Sequence, residues 1–251
     1  MEYGSDHAEY YDRVFRSRGK SFEGEARELD RIIRERSPHA ASLLDVACGT
    51  GAHLETFAKL FDHVEGVELS PDMREVAGRR LPGVPLHAGD MRSFDLGRTF
   101  DAVTCMGNAV GELGSYDELV EAVGRMAAHL APGGVLVVEP WYFPENFLDG
   151  HVGGHTLVED GLVISRMTHS RREGGKSRLE VRFRVADASG FKEFAEVLYS
   201  SLFTCDQYLE AFAEAGCRAE FRPAFKLADG RPNSPGLFVG VREEGAGDGL
   251  R

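Results

Sequence analysis

Asp45-Val46-Ala47-Cys48-Gly49-Thr50-Gly51 sets a carboxylate and two glycines directly behind an apolar run. Glycine lets a backbone approach a ligand closely, and a helix opening after such a turn offers N–H groups that have no partner within the helix. Ala47, Gly49 and Gly51 would then form the ligand-facing turn, with Asp45 at its entrance. Glu68 follows seventeen residues after Gly51, at the end of a second apolar run, with Leu69 beside it. A carboxylate there suits the two hydroxyls of a ribose. In Gly89-Asp90-Met91 the acid can hold an adenine amino group while the methionine packs beside the ring, and Met106 ends a further run at the same edge. The competing readings are a surface acid at the end of a tight turn, an ordinary loop acid at Asp90 and a core methionine at Met106. A dinucleotide turn would carry G-x-G-x-x-G, but Leu54 occupies the place of its third glycine. That argues for adenosine binding without a nicotinamide partner.

Such groups need strand ends to hold them. Up to about residue 150, short β-rich runs alternate with helical periods, the rhythm of a parallel sheet with crossover helices. Strands are expected at 42–47, 63–69, 100–106 and 135–139. Phe22, Ala26, Leu29 and Ile33 mark one helix. Ser70-Pro71-Asp72 starts a second, and Ser115 with Glu118 forms a capping box for a third that Pro132-Gly133-Gly134 closes. From 151 the period becomes two. Asp160-Gly161 suits a type I′ hairpin turn, and the turns at Gly174-Gly175 and 187–190 complete a four-stranded antiparallel meander. Thr204 and Gln207 then cap another helix, and 236–241 supplies a last strand. The division expected is an α/β domain over 1–150 and 204–242, with an antiparallel β insertion over 151–203.

The chain has 251 residues, 42% of them hydrophobic, and a net charge of −12. That balance argues against a protein that coats nucleic acid. No run approaches the roughly 20 apolar residues that cross a bilayer, and the first residues resemble no secretion signal. Cys48, Cys105, Cys205 and Cys217 lack metal-ligand spacing. The expectation is a cytoplasmic protein with reduced cysteines, no metal, no nucleic acid and no membrane.

The pieces between 40 and 140 resemble the class I S-adenosylmethionine (SAM) methyltransferases. A narrower likeness runs through Glu9-Tyr10-Tyr11-Asp12, Arg18-Gly19-Lys20, the segment 41–51, Glu139-Pro140-Trp141-Tyr142-Phe143-Pro144-Glu145-Asn146-Phe147, His169-Ser170, Arg172-Glu173-Gly174 and Gly236-Leu237-Phe238-Val239-Gly240. Over nearly its whole length the chain is similar to the N,N-dimethyltransferases of TDP-linked deoxyaminosugars in antibiotic biosynthesis, the desosamine and mycaminose type. The resemblance implies a Rossmann-like class I methyltransferase sheet carrying a small antiparallel insertion. It implies SAM as cofactor and a TDP-aminosugar as substrate, and it is compatible with a homodimer.

Carried over by residue, the likeness puts Tyr11 over the methionine end of SAM and Tyr3 near the reacting amine. For Tyr11, helix packing in a stripe with Ala8, Val14 and Phe15 is the alternative. Trp141 and Tyr142 would flank the sugar or thymine, or Trp141 would cover the core. Between Gly161 and Arg184 stand seven basic and two acidic residues, and Arg166 and Arg178 would meet the TDP diphosphate. Two positions depart from the family. Glu112 stands where relatives carry His or Tyr, and it would take the proton from the sugar ammonium; Pro235 replaces a phosphate-contacting arginine. Both lie on the substrate side, which suits a sugar aminated at C-4 rather than C-3. A methyltransferase for another small metabolite and a SAM-binding regulatory protein remain open.

Overall fold

The computed structural model describes residues 5–223 and 234–243. In chain order the elements are α1 Ser5–Ser17, α2 Phe22–Arg34, β1 Ser42–Val46, α3 Leu54–Leu60, β2 His63–Glu68, α4 Pro71–Arg80, β3 Leu86–Ala88, β4 Phe100–Cys105, α5 Tyr116–Ala128 and β5 Leu130–Val138. They continue as β6 Val152–Glu159, β7 Leu162–Glu173, β8 Lys176–Asp187, β9 Gly190–Ser201, α6 Cys205–Glu214, β10 Cys217–Pro223 and β11 Gly236–Arg242. A single 3₁₀ turn, Ala109–Glu112, lies between β4 and α5.

Seven strands form one sheet in the order β10-β11-β5-β4-β1-β2-β3. β3, β2, β1, β4 and β5 run parallel, while β11 and β10 pair antiparallel at the far side. Chain order reverses between β1 and β4, so the loops leaving these neighbours diverge and open a crevice beyond their carboxyl ends. Leu43, Leu44 and Val46 on β1, and Val135 to Val138 on β5, are almost wholly buried, as strands covered on both faces require.

The second sheet, β6-β7-β8-β9, is the expected antiparallel meander, inserted between β5 and α6. Its inner face carries Ile164, Val181, Phe183 and Val185, which pack with Tyr10 and Val14 of α1. The apolar side of α1 is therefore shared. Tyr10 and Val14 meet the insertion, while Tyr11 turns toward the crevice described below.

Three local readings are corrected. Pro132-Gly133-Gly134 does not end α5, which stops at Ala128 with His129 as C-cap. It is bowed out inside β5, where pairing jumps from Phe100↔Leu130 to Ala102↔Val135. Ser115 does cap α5, but Glu118 reaches the Gly114 N–H (2.6 Å) and Arg92 (2.8 Å) instead of closing a box on Ser115. β10 went unread because it is short and follows Gly216 immediately, although Arg218, Glu220 and Arg222 alternate there with Cys217, Ala219 and Phe221. The capping box of α6 is complete, with Thr204 and Gln207 bonded reciprocally. Thr204→Ala is expected to lower stability by about 1 kcal/mol, a melting shift of roughly 2–4 °C for a chain of this size; calorimetry checks this.

Candidate active site

Beyond β1 the backbone enters the left-handed region at Ala47 (φ 56°), Gly49 (φ 56°) and Gly51 (φ 73°). For Ala47 this costs about 1–2 kcal/mol. The two glycines serve different ends. A Cβ on Gly49 would meet no atom within 4 Å, so this glycine leaves its face open to the cavity it lines. A Cβ on Gly51 would lie 2.9 Å from Leu81 Cδ1 and 3.3 Å from Ala77 Cβ. Gly51 permits close packing on α4, and its neighbours Gly49, Thr50 and Ala52 line the cavity while it does not.

The cavity holds about 1120 Å³ of empty space counted to its open mouth. Tyr11, Asp45, Ala47, Gly49 and Glu68 line it, and so do Leu69, Asp90, Met91, Met106 and Glu112. Glu68 is buried and accepts hydrogen bonds from the backbone N–H groups of Gly49 and Ser70, both at 2.8 Å. It thereby ties the end of β2 to the glycine turn. Asp45 is 1% exposed, accepts from Thr104 Oγ1 at 2.7 Å, and burial pushes its pKa up to about 6. Asp90 is gripped by Arg92 through side chain and backbone, which lowers its pKa. Among the described residues no group of three His, Cys, Asp or Glu could hold a metal ion.

Helix α1 roofs this floor. Asp12 is buried, accepts from Thr50 Oγ1 at 2.7 Å and pairs with Arg80, whose guanidinium also donates to the Thr50 carbonyl at 2.7 Å. That latch joins α1 to the glycine turn and α4. Burial pushes the Tyr11 hydroxyl up to about 12. Lys20, which also lines the cavity, bonds Glu25 at 3.0 Å, and His53 Nε2 meets the same carboxylate at 2.8 Å. Burial works against the charge on Lys20, but Glu139 and Glu25 outweigh it and raise the pKa. Glu139, 0% exposed, accepts from the Gly107 N–H at 2.8 Å. Sequence reasoning assigned no role to Lys20, Glu25, His53 or Glu139. The Arg18-Gly19-Lys20 motif marked the place, but only the fold brings β5 and α2 to it.

Trp141, Tyr142, Arg166 and Arg178 lie outside the lining. Tyr3 is beyond the described residues. Trp141 and Tyr142 stack edge to face at 5.1 Å, but Trp141 Nε1 donates to Ser177 Oγ at 2.8 Å and Tyr142 is 38% exposed. Arg166 pairs in register with Phe183, and Arg178 with Arg171. Because cross-strand partners share a face, Arg166 is on the inner face with Phe183 and Arg178 on the outer. The two cannot close on one diphosphate within a chain. Arg178 is bonded to Glu180, while burial first and then Arg18 lower Arg166 to about 10. His155 stands directly across from Arg166 and is lowered by burial, Arg18 and Arg166.

A methyltransferase-domain family model matches residues 43–134. The chain is 49% identical over 240 residues to the dTDP-4-amino-2,3,4,6-tetradeoxy-D-glucose N,N-dimethyltransferase of Saccharopolyspora spinosa, covering 96% of this chain and 94% of that one. It is 48% identical over 240 residues to the dTDP-3-amino-3,4,6-trideoxy-alpha-D-glucopyranose N,N-dimethyltransferase of Streptomyces venezuelae, covering 95% and 99%. Among solved structures, SAM-bound CalS10, an amino pentose methyltransferase from Micromonospora echinaspora involved in calicheamicin biosynthesis, is 52% identical with TM-score 0.84 over 92% of this chain and 96% of that one. DesVI of Streptomyces venezuelae is 48% identical with TM-score 0.89 over 96% and 100%.

Asp45 bears a measurable cost. A carboxyl whose folded pKa, about 6, lies above its unfolded value binds its proton more tightly when folded, so this residue's contribution to stability falls as pH rises from about 4 to about 6. Asp45→Asn is expected to melt higher than the parent by roughly 5 °C at pH 7.5, with the difference opening between pH 4 and 6 and level above. Calorimetry across pH checks it; a difference independent of pH would mean that ionisation of Asp45 is not its source.

Proposed function

Since the chain belongs to the SAM-dependent dTDP-aminosugar N,N-dimethyltransferases, it is a sugar N-methyltransferase, and we propose that its acceptor is a TDP-linked 4-amino deoxysugar held between Glu112 and Arg166. The residues present fit SAM. Gly49 leaves an open face, and the carboxylate of Glu68 stands at the cavity wall with its two backbone bonds already made. Glu68 with Leu69 would take the ribose, Asp90 and Met91 the adenine, and Met106, Asp45, Ala47 and Tyr11 the methionine end. SAM supplies a methyl group already activated on a sulfonium, so alignment and a neutral amine are what the protein must provide. Gly51 acts one layer back, by seating the turn on α4.

The single observation that carries the reading is Glu112 in the wall of the cavity that Tyr11 also lines. An ammonium has no lone pair, so each methylation requires a proton to leave the nitrogen first, and we assign Glu112 as the group that receives it. With its pKa near 12 the Tyr11 hydroxyl keeps its proton at neutral pH and acts as a donor. Tyr3, in the segment before α1, is proposed to approach the same amine. The preference for C-4 rests on the departures at Glu112 and Pro235; relatives at 49% and 48% identity include both a 4-amino and a 3-amino enzyme.

For the diphosphate we assign Arg166 and His155 on the inner side of the insertion, with Arg18 near them; burial first, and then the Arg18 charge, lower both Arg166 and His155. A bound anion would relieve that repulsion. Tyr142 is proposed to flank the thymine or sugar at the mouth. Arg178 faces away, on an outer sheet face where Phe191 is 80% and Met167 59% exposed, a surface that suits a homodimer partner. No described helix is long and apolar enough to cross a membrane. We place the enzyme in the cytoplasm, consistent with four free cysteines.

Glu112→Gln is expected to lower kcat about tenfold and to move the rising limb of its pH profile upward; an unchanged profile would remove Glu112 from proton transfer. In titrations with TDP, Arg166→Ala should weaken binding about tenfold or more while Arg178→Ala stays within about twofold. The opposite order would put the diphosphate on the outer face, and no binding of TDP by the parent enzyme would favour a different small-metabolite acceptor.

A further inference from the structure

The 3₁₀ turn that carries Glu112 is only four residues long, Ala109–Glu112, and so has little rigidity of its own. It is held from outside. Gly111 packs so tightly that a Cβ there would lie 2.7 Å from Trp141 Cβ and 3.4 Å from Ser200 Cβ. The Trp141 indole N–H donates to Ser177 Oγ at 2.8 Å, and that hydroxyl, on a residue 0% exposed, donates to the Ser200 carbonyl at 3.2 Å. On the other side of Glu112, Ser201 Oγ donates to the Leu113 carbonyl at 2.6 Å. Ser177 and Ser200 are cross-strand partners on β8 and β9. The last residues of the inserted sheet thus grip the turn on both sides of the acid.

We propose that Trp141 is a positioning residue, which with Ser177 and Ser201 makes the inserted sheet a brace that aims Glu112 at the reacting amine. Its indole holds a turn in place and does not stack on the substrate. A side chain pivoting on a short turn loses alignment when one face of that turn is released, and proton transfer falls steeply with misplacement. Asn108 secures the start of the turn by donating from Nδ2 to the Pro140 carbonyl at 2.6 Å, so the loop that carries Trp141 and the turn that carries Glu112 move together. This inference rests on the reading of Glu112 as proton acceptor.

Steady-state kinetics over pH on Trp141→Phe, Ser177→Ala, Glu112→Gln and the double variant Trp141→Phe with Glu112→Gln separate the two claims. Trp141→Phe keeps an aromatic ring and loses the N–H, and Ser177→Ala removes the same bond from its other end. Each should lower kcat about fivefold, move the pH profile in the direction Glu112→Gln does, and leave both the KM for SAM and the affinity for TDP unchanged. The double variant should be no slower than Glu112→Gln alone, because the brace acts only through the acid. Multiplied losses in the double variant would overturn the brace while leaving Glu112 in its role. An unchanged Glu112→Gln profile beside a slow Trp141→Phe would sink both the acid's role and the brace, and a raised Kd for TDP in Trp141→Phe would return the indole to substrate contact.

Discussion

Asp45, Glu68 and Glu139 lie at or just beyond the ends of three strands, all nearly withdrawn from water, with half-buried Glu112 beside them. Like charges in so poorly polarisable a place repel unless each is met by a donor. The structure meets them with what the strand ends supply. Glu68 and Glu139 take backbone N–H groups from Gly49, Ser70 and Gly107, Asp45 takes a threonine hydroxyl, and Lys20 sits in the field of Glu139 and Glu25. The left-handed turn after β1 follows from the same constraint, because it turns the Gly49 N–H toward Glu68 and leaves the opposite face of that residue open. The outcome is a cavity whose walls favour cations, the charge type shared by a sulfonium and an amine about to be methylated.

Enclosure comes from two elements outside the parallel sheet. Helix α1 is pinned to the glycine turn through Asp12, Thr50 and Arg80, and its other side packs on the inserted sheet through Tyr10 and Val14. Tyr11, between those two anchorages, has no latitude to leave the cavity without breaking one of them. The inserted sheet also contributes the cationic group at Arg166 and the grip on the turn bearing Glu112. One meander therefore touches the helix that roofs the cavity, carries Arg166 and grips the turn that bears Glu112.

Much of this was legible in the sequence, and what was not has definable physical causes. Glu68, Asp90 and Met106 could be placed because each ends an apolar run or closely follows one, and strand ends in such a sheet share an edge. The meander was legible from its period of two. That same period says which residues of one strand share a face, but the face that points inward and the register between strands are set by tertiary packing. Arg166 and Arg178 were paired in expectation for that reason, although the register sets them on opposite sides. Most of the positive charge between Gly161 and Arg184 lies with Arg178 on the outer face, so a local charge count misjudged the cavity. Gly51 looked like Gly49 in the motif; only the nearness of Leu81 and Ala77 distinguishes a packing glycine from one that yields space. The partners of Lys20 come from α2 and β5, too far apart in sequence for any spacing rule.

The acceptor proposed for this acidic cavity is an amine at C-4 of a nucleotide sugar. The most direct test is mass spectrometry of the products formed from TDP-4-amino and TDP-3-amino deoxyhexoses with SAM. The account predicts sugar nucleotides heavier by one and then two methyl groups, formed faster from the 4-amino substrate. Methylation of neither sugar by enzyme that binds SAM would contradict it, and faster turnover of the 3-amino sugar would contradict the position assigned to the amine.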